Sequence, residues 1–214
     1  MSKYTKKFKE FIFKGDKMAI SNDLIKALRE KTACGIKDCK NALEECNGDL
    51  EKANELLRKK GLADASKKVG KGTTAGKVIS YIHAGGQVGV MLEINCETDF
   101  VANTDAFQDL GKEICMQICA MNPVAVNIND IPEKILSQER AIYLEQVKDK
   151  PAQVQEKIIQ GKLEKYYKDN VLLKQTYIKD EALTIEELVK QKIAVTKENI
   201  TISRFVRFQV GEKA

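Results

Sequence analysis

Val88-Gly-Val-Met-Leu-Glu-Ile-Asn-Cys-Glu-Thr-Asp-Phe-Val-Ala-Asn103 holds a strand, a corner and the approach to a helix. Val88, Val90, Leu92 and Ile94 alternate with other residues and predict one buried strand face, because successive strand side chains point to opposite sides. The alternation stops at Glu97-Thr98-Asp99. Phe100 follows before a helical period begins near Asp105. An acid beside a large aromatic at such a corner has two readings. Corners project and aromatics anchor interfaces, so Asp99 and Phe100 can form a wedge directed at a partner. Alternatively Phe100 caps the local core and Asp99 orders the turn. Spacing alone favours this second reading, since aromatics are more often packed inward.

Upstream, Lys77 to His83 reads as a second strand. Ala84-Gly85-Gly86 joins the two strands as a hairpin, its glycines supplying positive backbone torsions. Downstream, a helix runs from about Asp105 to Met121 and is closed by Asn122-Pro123. A helical stretch from Pro132 to Asp149 follows, and then a helix opened by Pro151 and reaching about Lys168, since proline suits a first turn. Thr184-Ile-Glu-Glu187 is a capping box for a short helix. Ile200 to Val210 reads as a closing strand with Ile202, Val206, Phe208 and Val210 on one face with Arg204. Few strands, several helices and no βαβ alternation predict an α+β core over residues 77–214: a small antiparallel sheet covered by helices.

Residues 18–62 read as a three-helix bundle. Ser21 or Asn22 caps the first helix, with Leu24, Ile25 and Leu28 inward. Ile36, Cys39 and Leu43 form the stripe of the second. Asn47-Gly48-Asp49 turns into the third, where Ala53, Leu56 and Leu57 point inward and Gly61 suits the left-handed position after a helix end. Residues 63–76 read as a linker. Within it Gly76-Lys77 superficially matches a phosphate-binding loop, but that motif needs a glycine at position 71 and a hydroxyl residue at 78, where Lys71 and Val78 stand. Residues 1–17 form a basic extension with Phe8, Phe11, Ile12 and Phe13, for which disorder is the expectation.

The chain's net charge of +5 is unevenly placed. Residues 1–17 carry +4 (six lysines, two acids), which leaves +1 over the other 197 residues (30 basic, 29 acidic). So balanced a core predicts no direct nucleic-acid binding. No run of about 18 apolar residues spans a membrane, and the N-terminus lacks the pattern of a secretory signal. A cytoplasmic setting with reduced thiols is therefore expected for the six cysteines. Cys34, Cys39 and Cys46 contain no Cys-x-x-Cys and His83 is the only histidine, so neither a metal nor any other cofactor is expected. Cys115 and Cys119 lie one helical turn apart on an apolar stripe, where packing is their role.

Several segments together resemble the family of translation elongation factor Ts. They are Thr32-Ala-Cys-Gly-Ile-Lys-Asp-Cys-Lys-Asn-Ala-Leu43, Asn47-Gly-Asp49, Glu97-Thr-Asp-Phe-Val-Ala-Asn103 and Arg204-Phe-Val-Arg-Phe-Gln-Val-Gly211. The match runs from Met18 to Glu212 in the family's order. It implies a ubiquitin-associated-like bundle over 18–62, an α+β dimerisation and exchange core over 77–214, and a guanine-nucleotide exchange factor that releases GDP from elongation factor Tu without making or breaking a bond. By the same resemblance Asp99 and Phe100, with Thr98 and Val101, would press on the GTPase domain near its magnesium and phosphate site. Arg29, Ile36, Lys37 and Lys40 would hold that domain, and Met116 and Gln117 would meet a second domain of the partner. Two departures stand out: the family's Thr-Gly-Ala-Gly is Thr32-Ala33-Cys34-Gly35, and its Met-Met is Ile36-Lys37. A single Thr-Asp-Phe-Val element marks the short, single-core form, which implies a homodimer. Against this stand a ribosome- or RNA-associated binding protein and a thiol enzyme built on Cys34 or Cys39.

Overall fold

A computed structural model describes residues 20–32 and 34–212. They fall into two compact units that divide between Ala63 and Asp64. The basic extension over 1–17 lies outside the described residues.

The first unit is built from α1 (Asn22–Thr32), α2 (Ile36–Glu45) and the part of α3 (Leu50–Lys68) that runs to Ala63. The Ser21 hydroxyl accepts from Leu24 N at 3.3 Å, satisfying one of the amides that a helix start leaves unpaired. Asn47 (φ 51) and Gly48 (φ 80) make the predicted turn. Asp49 Oδ1 then accepts from Glu51 N and Lys52 N, both at 3.1 Å. The Lys52 amide and ammonium beside it hold the Asp49 carboxyl below the usual carboxylate range. Ile25, Leu28, Cys39, Ala42, Leu43, Ala53 and Leu57 form the core, as their helical spacing requires. Ile36 departs from its predicted stripe and is 60% exposed. As the first residue of α2 its side chain leans back past the helix end.

Gly61 does not close its helix. Leu62, Ala63 and Ala65 are good helix formers, and Ala65 is wholly buried in the second unit's core, so α3 continues to Lys68 through the predicted linker. The left-handed glycine beyond the helix is Gly70 (φ 95).

The second unit centres on an antiparallel sheet of order β1-β2-β5, from Ala75–Ile82, Val88–Cys96 and Ile200–Gln209. The β1–β2 hairpin turns at Gly85 (φ 93) and Gly86 (φ 70). Val90, Leu92, Ile94 and Cys96 face inward. They pack with Phe107, Leu110, Ile114 and Ile118 of α5 (Asp105–Met121) and with Leu188, Val189 and Ile193 of α8 (Ile185–Thr196). Between β2 and α5 lies the single turn α4 (Asp99–Ala102). Asn122 (φ 43) ends α5 in the left-handed conformation, and the Thr184–Glu187 capping box opens α8.

One face assignment is corrected. Glu93 pairs with Arg204 but Ile94 with Ile202, so Ser203 is an extra residue, a bulge. An odd residue reverses the alternation. Ile202 therefore points inward, whereas Arg204, Val206, Phe208 and Val210 share the outer face.

The remaining chain forms the helical pair α6 (Glu133–Gln146) and α7 (Ala152–Asn170) around Val147, Ile159 and Leu163. A two-stranded ribbon, β3 (Thr176–Tyr177) with β4 (Asp180–Thr184), has strands too short to show an alternation in sequence.

Gly76 sets the approach of β1 to β2. A Cβ there would lie 2.4 Å from Ile94 O and 2.8 Å from Asn95 Cα. Those are backbone atoms that cannot yield without parting the strands. Gly76→Ala should cost about 2 kcal/mol in denaturant unfolding, whereas Gly161→Ala on open surface of α7 should not destabilise.

Candidate functional site: the acid–aromatic corner

Thr98 is extended (φ −132, ψ 155), and its hydroxyl accepts from Val101 N at 3.4 Å, which starts the turn α4. Behind the turn, Thr104 Oγ1 donates to Val101 O at 2.7 Å and accepts from Phe107 N at 3.4 Å, which starts α5. Val101 and Ala102 are buried and root the corner in the core. Asp99 and Phe100 take the outward positions, and Phe100 is 79% exposed. Spacing alone favoured an inward Phe100; the structure reverses that, because one helical turn replaces the strand period and the smaller Val101 and Ala102 fill the inward places. Val101, which the resemblance grouped with Asp99 and Phe100, is buried and supports the corner from within.

A second brace comes from the turn between α8 and β5, opened by Lys197 in the left-handed conformation (φ 62). Glu198 Oε2 accepts from Thr98 N at 3.0 Å, and Oε1 accepts from Thr98 Oγ1 at 2.7 Å. Asn199 N donates to Glu97 Oε1 at 2.7 Å, and Asn199 Nδ2 donates to Lys71 O at 2.7 Å. Lys71 Nζ stands 3.8 Å from Glu97 Oε2. The Cys96 thiol donates to Thr98 O at 3.0 Å; burial, then the Glu198 carboxylate, push its pKa up. Glu198 and Asn199 escaped the sequence reading. They lie about a hundred residues from the corner in a stretch that reads only as a turn.

Met116 is half-buried on α5. Gln117, which the resemblance placed among partner contacts, is wholly buried. Its Nε2 donates to Gln175 Oε1 and to Thr176 O, each at 3.1 Å, and its Oε1 accepts from Ile178 N at 3.0 Å. Helical phase explains this: Gln117 shares the inward stripe with Leu110, Ile114 and Ile118, and its amide pins α5 to β3. In the bundle, Arg29, Ile36, Lys37 and Lys40 are exposed. Ile36 and Lys40, four residues apart, share one face of α2. Lys40 also stands 3.9 Å from Glu44.

Burial raises the Cys39 thiol and pushes Cys115 up to about 12, disfavouring the reactive thiolate. His83, on the exposed hairpin, is 3.2 Å from the Tyr81 hydroxyl.

The fold and the corner define an α+β protein with a small helical first unit and a projecting aromatic braced from both sides. The sequence pattern described as elongation factor Ts matches residues 5–212, reaching upstream of the Met18 from which the resemblance was read. Elongation factor Ts of Fervidobacterium nodosum is 55% identical over 197 residues, covering 91% of this chain and 100% of that protein. That of Thermotoga maritima is 51% identical over 195 residues (91% and 98%). The Coprothermobacter proteolyticus protein of the same name is 49% identical over 197 residues (91% and 100%). The chain belongs to the elongation factor Ts family.

Gln117→Ala should remove a buried partner from Gln175, Thr176 and Ile178 and leave a cavity. The expected cost is about 3 kcal/mol in denaturant unfolding. An unchanged midpoint would mean that the amide is not a pin.

Proposed function

We propose that this protein is a guanine-nucleotide exchange factor of translation elongation: it binds elongation factor Tu carrying GDP, promotes GDP release and holds the nucleotide-free partner. The observation that carries the reading is Phe100, an aromatic 79% exposed on a corner rooted in the core, in a chain of this family. A bound nucleoside diphosphate is held by backbone amides, a lysine and a magnesium ion. Asp99 and Phe100 press on the elements that shape that site. Magnesium demands near-ideal octahedral geometry, so a small displacement loses much of its affinity. No bond is made or cut, and the reading requires no catalytic residue and no cofactor. By linkage, whatever factor weakens GDP binding equally weakens this protein's binding to the nucleotide-loaded partner.

In this reading the first unit is a ubiquitin-associated-like docking module, with Arg29, Ile36, Lys37 and Lys40 on the GTPase domain. Met116 is the one residue of α5 from the expected second contact that keeps an accessible edge. Thr98 acts as the cap that shapes the corner. The setting is the cytoplasm, with no direct contact to nucleic acid or membrane. The near-neutral charge outside residues 1–17 counts against the RNA-associated alternative.

A homodimer through the core completes the reading. Val78, Ile82, Met91, Val206, Phe208 and Val210 expose apolar surface on the outer side of the sheet. The register aligns Ser80, Met91 and Val206 in one row and Ile82, Gly89 and Phe208 in the next. A contiguous apolar sheet face suits a self-complementary two-fold contact. Light scattering should give about twice the 24.0 kDa chain mass. Phe208→Glu should shift it toward the monomer, and a wild-type monomer would refute the dimer.

Nucleotide release tests the function itself. Adding the protein to elongation factor Tu loaded with fluorescent GDP should accelerate release. Phe100→Ala should slow the saturated rate roughly thirtyfold, the scale of a lost interface anchor, with an unchanged melting temperature. Full activity in Phe100→Ala, or a collapse of its fold, would remove Phe100 from the site.

A further inference from the structure

An exposed phenylalanine transmits force only if its backbone cannot give way. α4 is a single turn of four residues, too short to be stable without outside support. Its inner side has that support in Val101 and Ala102. Its leading edge is Thr98, whose hydroxyl accepts the Val101 amide. Hydroxyls rotate, and Thr98 is exposed, so water competes for both of its polar groups. Glu198 removes that competition by taking the Thr98 amide and hydroxyl on its two carboxylate oxygens, at 3.0 and 2.7 Å. With the hydroxyl proton committed to Glu198, a lone pair stays directed at Val101 N. Glu198 is itself held, because the neighbouring Lys197 amide closes α8 on Ile193 O and the Asn199 amide bonds Glu97 at 2.7 Å.

We infer that Glu198 is the positioning residue of the Asp99–Phe100 corner: its carboxylate fixes the conformation of Thr98 and thereby the stiffness with which Phe100 meets a partner. The inference rests on the exchange reading above. Glu198 acts on the corner through its two hydrogen bonds to Thr98. Preorganisation of this kind raises the effect of a contact by removing the cost of ordering it. It therefore belongs to the release step, while docking through the bundle is untouched. The geometry also separates hydrogen bonding from charge. In Glu198→Gln the carbonyl oxygen still accepts from Thr98 N. The amide nitrogen can donate to Thr98 Oγ1, whose second lone pair remains for Val101 N.

Two measurements on the full chain test this. In amide hydrogen exchange, Glu198→Ala should speed exchange at Thr98 and Val101 about tenfold, leave the Leu92 and Ile94 amides unchanged, and be largely rescued by Glu198→Gln. Unchanged exchange at Thr98 overturns the inference. So does loss of protection across the whole sheet, which would make Glu198 a support of the core. In GDP release from elongation factor Tu, Glu198→Ala should lower the saturated rate about tenfold without moving the half-saturating concentration. It should add nothing to Phe100→Ala, since one acts through the other. A wild-type saturated rate in Glu198→Ala overturns the inference while wild-type exchange and a slow Phe100→Ala keep the function. If the wild-type chain releases no GDP, the function falls, and the amide measurement still decides whether Glu198 positions the corner.

Discussion

The inner face of β2 packs against the inward stripe of α5, and the two are almost consecutive in the chain. Val90, Leu92, Ile94 and Cys96 on one side meet Phe107, Leu110, Ile114 and Ile118 on the other. A strand and a helix buried on each other fix both ends of the short segment that joins them. The join must change from period two to a helical turn within a few residues. Thr98 and Thr104, each capping the helix that follows it, make that change possible. Val101 and Ala102 anchor it from below, and Phe100 is left outside. A large aromatic held in water has a hydration cost, and the corner sustains it because the packing beneath is independent of Phe100.

Polar pins complement this apolar frame. Gln117 is buried on the same helix stripe as Ile114 and Ile118, yet its amide reaches two acceptors and one donor beside β3. Among the described residues no buried side-chain nitrogen or oxygen lacks a partner, so burial here brings direction without a desolvation penalty left unmet. Glu198 does at the surface what Gln117 does inside: each joins segments distant in sequence through two or more hydrogen bonds. A surface carboxylate with two donors from one residue is more directional than an exposed ion pair, whose worth is small. The Glu198–Thr98 contact therefore holds its segment more firmly than an exposed ion pair such as Lys112–Asp109.

The exposed surfaces divide along the same lines. The corner projects an acid and an aromatic, and the outer sheet face projects aliphatic and aromatic side chains in register. Both depend on the bulge at Ser203 or on the turn at α4, the two places where the chain leaves its regular period. Small departures from regularity thus decide which apolar groups the protein shows and which it hides.

Much of this was legible in the sequence. The alternation from Val88 to Ile94, the glycine hairpin, the helix from Asp105 to Met121 with its Asn122 end and the Thr184–Glu187 cap all appear in the structure, because each is set by neighbours in the chain. The motif around Thr98–Phe100 likewise marked the candidate site. What sequence could not supply was every feature decided by groups far apart. Gly61 looked like a helix end until Ala65, buried in the second unit, carried the helix onward. Ile202 looked like a partner of Val206 until the bulge reversed the face. The resemblance set Gln117 among partner contacts, whereas the fold buries it beside β3, and Glu198 carried no signal until the fold set it against Thr98. Local periodicity and capping specify elements, since their energies involve residues a few positions apart. Only tertiary packing decides which polar groups meet across a hundred residues, and those meetings set whether a side chain is a pin, a brace or a free surface.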